Sequence, residues 1–197
     1  MPAVAPPSLR ERARRGVQAE ITDIAVRLFV KQGFDATTIE QIAAAAGISR
    51  RSFFRYFGAK EDIVLGDVAA LGQKVKTALE ARPACELAWS AMREAFVSLR
   101  DPDASPRAEL AMAKIYHDSP SLRARHLEKH LSWQELLAPD IERRLGVTSG
   151  PTPDPRARAV IAAALACLDI ALDAWRASDG TADVVQLFDA AVVAVRS

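Results

Sequence analysis

An all-α fold is what this sequence predicts, and three observations carry that reading. Half of the 197 residues are hydrophobic, enough for a real core, while only 6% are aromatic. Alanine runs are frequent, and alanine is the strongest helix former. β-Branched residues never alternate over a strand's length, whereas apolar residues recur at helical spacing. The longest apolar run, Ala159 to Leu168, stops at Asp169, well short of the roughly 20 residues a membrane span needs. The first nine residues hold three prolines and no basic segment followed by an apolar one, so they read as a flexible tail and not a signal peptide. A cytoplasmic location without membrane contact is expected.

Arg10, Arg12, Arg14 and Arg15 make residues 1–16 a flexible basic arm leading into a first helix from Val17 to Lys31. Ile21, Ile24, Ala25, Leu28 and Phe29 fall on one face of that helix, and Gly33 ends it. Thr37 and Thr38 can each open a second, short helix, because Glu40 and Gln41 stand three residues further on in the capping-box position. Ile39, Ile42, Ala43 and Ala46 form its inner face, and Gly47 permits a sharp turn. Ser49 caps a third helix, anchored by Phe53 and Phe57 and closed by Gly58. Residues 17–60 thus form one module and 61–197 a second.

A fourth helix is expected from Lys60 to Ala81, before Pro83. Helices over 84–99, 107–117, 121–145, 155–177 and 182–195 follow, separated by breakers that include Pro102, Pro106 and Pro120. Pro139 predicts a kink or break inside the long one, and residues 146–155 read as a loop. Cys85 and Cys167 lack metal-ligand spacing and are expected to pack in apolar surroundings.

Charge is distributed unevenly, although the net value is only +1. Residues 1–60 carry ten Lys or Arg against five Asp or Glu, while the remainder is net acidic. The positive field therefore gathers at the N-terminal end. Within it, Gly47 to Phe57 places aromatic residues on one helical face and Arg50, Arg51, Ser52 and Arg55 on the other. Two short helices joined at a glycine, the second with basic and hydroxyl side chains outward, suit entry into a DNA major groove. Arginine bonds bidentately to guanine O6 and N7 and is also drawn to phosphates. The arginines of the arm either follow the minor groove or trail in solvent.

Thr38, Ile42-Ala43, Ala46-Gly47-Ile48-Ser49, Tyr56-Phe57 and Lys60-Glu61 resemble the N-terminal signature of the TetR family of bacterial transcriptional regulators. The resemblance covers about residues 17–65. It implies a three-helix helix-turn-helix DNA-binding domain followed by a larger helical domain for dimerisation and ligand binding. It implies that Arg50, Arg51 and Ser52 read bases, and that Thr38, Tyr56 and Lys60 grip phosphates. Arg51 stands where relatives carry a small residue, and Phe54 where they carry Tyr, so a borrowed operator sequence does not transfer.

In the second module, Trp89, Met92 and Phe96 read as core; the alternative is that they line an apolar ligand cavity with Tyr116. Arg93, His117, Arg123 and Arg125 are then candidate anchors for an anionic head group. His126 and His130 are one turn apart, but Arg123, Arg125 and Lys129 surround them, so no metal and no cofactor is expected. Ile161, Leu165, Leu168, Leu172 and Trp175 form one stripe and Val184, Leu187, Phe188, Ala191 and Val195 another. By resemblance this helix pair joins its symmetry mate in a four-helix bundle, with Leu165, Leu168, Leu172, Trp175, Leu187, Phe188 and Ala191 at the interface. Asp169 and Asp173 are expected to meet Arg176 or solvent.

The expected function is a ligand-responsive DNA-binding regulator, a repressor released from a pseudo-palindromic operator by a small effector. The Arg144 to Gly146 segment and the helix ending at Trp175 look like members that sense acyl-CoA-like or other hydrophobic acids. Two rivals remain: a helical enzyme using His117, His126 or His130, for which no nucleophile, base and orienting group assemble by spacing, and a ligand-independent DNA-binding or docking module.

Overall fold

The computed structural model describes residues 8–100, 105–147 and 152–196. Among them are ten α-helices and no strand. The chain divides into two compact units, with the boundary along the chain between Gly66 and Asp67. Parts of the expected arm (residues 1–7) and of the expected loop (148–151) lie outside the described residues.

The first unit holds α1 (Leu9–Gln32), α2 (Ile39–Ala45), α3 (Arg50–Phe53) and α4 (Asp62–Leu65). Helix α1 begins eight residues before the expected Val17, so residues 9–16 are helical and not a flexible arm. The reason is a capping box: the Glu11 amide donates to Ser8 Oγ at 3.2 Å, and the Ser8 amide donates to Glu11 Oε2 at 2.7 Å. Thr38, not Thr37, caps α2, in a capping box with Gln41. Thr37 is buried instead, its hydroxyl donating to the Gly33 carbonyl at 2.7 Å.

Gly47 ends α2 at φ +66°. Its amide donates to the Ala44 carbonyl and that of Ile48 to Ala43, a Schellman closure that only a residue tolerating the left-handed region adopts without strain. Helix α3 follows at once, capped by Ser49 Oγ, which accepts from the Ser52 amide at 3.0 Å. It is shorter than expected, because after Phe53 the amides of Arg55 and Tyr56 take tighter i to i+3 bonds. Ile21, Ala25, Phe29, Phe34, Ile42, Ala43, Phe53, Phe57 and Ile63 are buried apolar residues of this unit.

The second unit comprises α5 (Val68–Glu80), α6 (Ala88–Val97), α7 (Pro106–Asp118), α8 (Pro120–Leu145), α9 (Pro155–Ala177) and α10 (Val184–Arg196). The expected single helix from Lys60 to Ala81 is broken between α4 and α5, since Gly66 adopts φ +71° and Asp67 caps the Ala70 amide afresh. Pro139 lies inside a continuous α8. Prolines open α7, α8 and α9 at their first position, where no amide donor is missed. Cys167 is buried, whereas Cys85, expected to pack, is exposed before α6.

Val75, Leu79, Met92, Phe96, Trp133, Leu137, Ile141, Ile161, Leu165 and Phe188 build the core of this unit. Gly72 in α5 lets Trp133 come close: a Cβ there would stand 2.6 Å from Trp133 Nε1, which itself donates to the Val68 carbonyl at 3.1 Å. Gly72→Ala, favourable on helix propensity alone, is therefore expected to destabilise by about 1–3 kcal/mol through overpacking. A thermal midpoint unchanged or raised would contradict this.

Candidate nucleic-acid interface

In the first unit, the α3 segment is fixed from behind by aromatic packing. Phe53 is fully buried, with the Phe57 ring centroid at 5.4 Å and that of Phe54 edge-on at 5.6 Å. With that side locked, Arg50, Arg51 and Arg55 are exposed and Ser52 half-buried. Ser52 Oγ lies 3.0 Å from Ser49 Oγ, so its hydroxyl is already engaged in the cap. Arg50 reaches Glu40 of α2 at 3.1 Å and lies 5.7 Å from the Phe54 ring centroid. Both ends of that ion pair are exposed, where such a contact is worth only about 0–1 kcal/mol, so a nucleic-acid anion competes for Arg50 at little cost. Phe54 is 45% exposed beside it.

Helix α1 tethers the same segment. Arg14 Nη2 donates to the Arg55 carbonyl at 3.4 Å and Gln18 Nε2 to the Tyr56 carbonyl at 2.9 Å. Arg10, Ala13, Arg14, Val17, Arg55 and Tyr56 line an open cleft of about 500 Å³. Arg10 and Arg14, assigned from sequence to a loose arm, thus sit beside the candidate recognition segment because the capping box extends α1 backwards.

Of the three expected phosphate contacts, Thr38 and Tyr56 stay compatible with that role. The Thr38 hydroxyl oxygen accepts from the Gln41 amide at 3.2 Å, which leaves its proton available to an anionic oxygen. Lys60 differs. Its ammonium donates to the carbonyls of Phe34 and Thr37, both at 2.7 Å, and sits 4.1 Å from the Phe34 ring centroid. Burial pushes its pKa below the usual lysine value, against the opposing pull of Glu61 and Asp35. Lys60 is a brace between the chain ends flanking the turn from α1 to α2. No spacing in the sequence announced those two carbonyls as its partners.

The second unit redistributes the expected ligand-pocket residues. An apolar cleft of about 230 Å³ is lined by Phe96, Leu168, Leu172, Val184, Val185 and Phe188, with Arg93, Arg100 and Glu109 among its polar neighbours. Of the expected apolar residues only Phe96 lines it, and of the expected anchors only Arg93. Met92 is core, Trp89 packs against the core, Tyr116 lies 5.1 Å from the His126 ring, and Arg123 is exposed and bonded to the His117 carbonyl. Arg93 is chelated by Asp189 at 2.6 and 2.9 Å and also meets Glu94, which raises its pKa.

Part of the expected interface stripe is buried within the single chain. Leu165, Trp175 and Phe188 are buried within the single chain, and Leu168, Leu187 and Ala191 are partly buried against its core. Of the α9 stripe that the sequence marked as apolar, Ile161, Leu165 and Trp175 are buried within the chain, Leu168 is partly buried and Leu172 is exposed. Apolar side chains left exposed on these last helices include Ile170, Leu172, Val193 and Val195.

The histidines assemble with a partner that sequence did not supply. His126 Nε2 lies 2.8 Å from Asp169 Oδ1, and His130 Nε2 lies 3.4 Å from Asp169 Oδ2. Burial alone would raise the Asp169 carboxyl, but hydrogen bonds from the two imidazoles outweigh it and hold the pKa far below the carboxylate range. His126 is lowered by its own burial. Asp173, as expected, lies near Arg176, at 3.7 Å.

Two family comparisons bear on identity. Residues 21–66 match the model of bacterial regulatory proteins of the tetR family. Residues 86–197, more than half of the chain, match the model described as the MftR C-terminal domain. The chain belongs to the TetR family. It is a DNA-binding transcriptional regulator, a family of regulators and not of enzymes. Among TetR-family relatives, the HTH-type transcriptional regulator TcmR of Streptomyces glaucescens is 34% identical over 148 residues, 72% of this chain and 66% of TcmR. The putative mycofactocin biosynthesis transcriptional regulator MftR of Mycobacterium tuberculosis is 29% identical over 83% of this chain and 80% of its own. The fold is similar to that of the TetR-family repressor FadR of Thermus thermophilus, solved in complex with lauroyl-CoA, at a TM-score of 0.51 and 23% identity over 89% of this chain and 91% of that one. No helix among the described residues is long and apolar enough to cross a membrane.

Proposed function

We propose that this TetR-family protein is a repressor that binds a pseudo-palindromic operator as a homodimer through α3 and is released by a small hydrophobic or acyl-type effector. The observation that carries the DNA reading is the arginine set Arg50, Arg51 and Arg55, exposed on a segment whose opposite side is immobilised by Phe53 and Phe57. Arg50 and Arg51 read guanine in the major groove with Ser52 beside them, Arg55, Thr38 and Tyr56 meet phosphates, and Lys60 holds the turn that presents Thr38. The domain division follows: residues up to about Gly66 bind DNA, and the remainder binds effector and partner. A dimer sets two recognition helices about 34 Å apart, in successive major grooves. Leu172 and the other exposed apolar residues of α9 and α10 are the dimer-forming surface of this reading.

The effector reading rests on the apolar cleft of α6, α9 and α10 and on the lauroyl-CoA held by the FadR neighbour. Its 230 Å³ is below the roughly 300 Å³ at which drug-sized pockets begin, so it takes an acyl chain only as the lining side chains part. Release then follows from tighter binding to the DNA-incompetent state, a tenfold preference being about 1.4 kcal/mol.

The test is selection of genomic fragments by the purified protein, repeated with acyl thioesters and free acids present. Arg50→Ala and Arg51→Ala are each expected to cost about 1–3 kcal/mol on the selected operator and to relax specificity there, with smaller losses on random DNA. Lys60→Met is expected to lower the thermal midpoint of the first unit instead of flattening the salt dependence of binding. Equal losses on specific and random DNA for both arginines would remove the base-reading assignment. A complex that no acid or thioester dissociates would remove the effector assignment.

A further inference from the structure

Three donors of metal-ligand type converge between α8 and α9. His126 and His130 project from successive turns of α8, and Asp169, some forty residues later, comes from α9. Their nearest ligand atoms all lie within 4.8 Å of one another. Both imidazoles present Nε2 to the same carboxylate, one to each oxygen, at 2.8 and 3.4 Å. Bonds of about 2.0–2.2 Å to a tetrahedral zinc put the donors roughly 3.3 Å apart, so side-chain adjustments on the order of 1 Å close the set. The His side chains are only 10% and 14% exposed and that of Asp169 33%, which leaves solvent access on the carboxylate side.

The sequence argued against a cation here on the strength of three neighbouring basic residues, and the structure pairs the two arginines elsewhere. Arg125 is paired with Glu128 at 2.8 Å. Arg123 bonds to the His117 carbonyl. Lys129, whose charge acts on both His126 and Asp169, lies over the Trp133 ring at 5.0 Å. Asp169 adds a third donor that lies some forty residues away in the chain.

We propose that His126, His130 and Asp169 form a site for a zinc-class divalent ion that ties α8 to α9 and keeps a coordination position open to an added ligand. Two nitrogen donors and one carboxylate suit zinc and its neighbours in the first transition series, and do not suit magnesium or calcium, which take oxygen. On binding, each ring proton moves to Nδ1 and the Nε2 lone pair turns to the ion; the carboxylate exchanges its hydrogen bonds for a metal–oxygen bond. The site belongs to the second unit and the DNA-reading segment to the first, so its test does not depend on that assignment.

The experiment uses the full-length chain in a Cys85→Ser background, which removes the exposed thiol, stripped with chelator and titrated with Zn²⁺ against a chromophoric competitor. The expected result is one ion per chain, with affinity about a hundredfold lower in His130→Gln and in Asp169→Asn and unchanged in His117→Gln. Co²⁺ added to the unsubstituted site is expected to give the intense visible bands of a four-coordinate ion. Zn²⁺ is also expected to raise the thermal midpoint of the parent protein and not of the His126→Gln/His130→Gln double variant. A parent protein that takes up no Zn²⁺ and shows no such Co²⁺ bands overturns the proposal whatever the variants do. Equal Zn²⁺ affinity in the parent and the folded double variant overturns it as well.

Discussion

Arg144→Ala is expected to destabilise the second unit by about 3–5 kcal/mol, the range for removing one partner of a buried ion pair. The Arg144 side chain is 0% exposed and Asp140, its partner at 2.5 Å, is 4% exposed. Its Nη1 donates to the carbonyl of Pro83 at 2.7 Å and of Glu86 at 3.2 Å. Its Nη2 donates to the carbonyl of Leu79 at 2.8 Å and of Arg82 at 3.3 Å. One guanidinium therefore bonds four carbonyls at the end of α5 and in the connection to α6, of which those of Leu79 and Pro83 also accept backbone amides, while it neutralises a carboxylate on its own helix. Alanine leaves all of these without that donor, with only Arg143 still at Asp140. A fall in thermal midpoint on the order of 10 °C is expected. Arg144→Lys keeps the charge but has three protons where five are used, so it should recover part of the loss. Asp140→Asn/Arg144→Met, which removes the buried charge together with its partner, should be less harmful than Arg144→Ala. Unchanged midpoints for Arg144→Ala would show that these bonds do not hold the connection.

That residue also marks the limit of what the sequence could disclose. Arg144 to Gly146 resembled a ligand-sensing segment, yet the Arg144 side chain is consumed by its own backbone. Local signals were read well where the physics is local. Gly33 and Gly47 ended helices as expected, Ser49 and Thr38 capped them, and α9 ran from Pro155 to Ala177 as its pattern predicted. Residues whose role depends on distant partners were not legible. Lys60 finds carbonyls more than twenty residues away, and His126 finds Asp169 across two helices. The apolar stripe of α9 was correctly seen, but periodicity cannot tell a face buried by its own chain from one buried by a partner. Ser8 and Glu11 held a capping box that the prolines before them obscured.

Phe53→Ala is the substitution expected to separate folding of the first unit from its contacts. Phe53 is fully buried and touches Phe54 and Phe57, so truncation removes apolar contact and leaves a cavity, at about 3–5 kcal/mol. A unit of some 66 residues has little stability in reserve, since whole domains hold only about 5–15 kcal/mol. The expected outcome is loss of binding to every duplex, specific or random, in a protein that retains the larger share of its helical circular dichroism, because α5 to α10 are untouched. That pattern differs from Arg51→Ala, which leaves the fold intact and acts mainly on the selected operator. Phe54→Ala supplies the contrast: its ring is 45% exposed, so a stability loss below about 1 kcal/mol is expected, and any effect on DNA comes through Arg50, whose guanidinium it faces. If Phe53→Ala melts like the parent and still selects the operator, the segment is not held from behind by this ring, and the outward placement of Arg50 and Arg51 needs another cause.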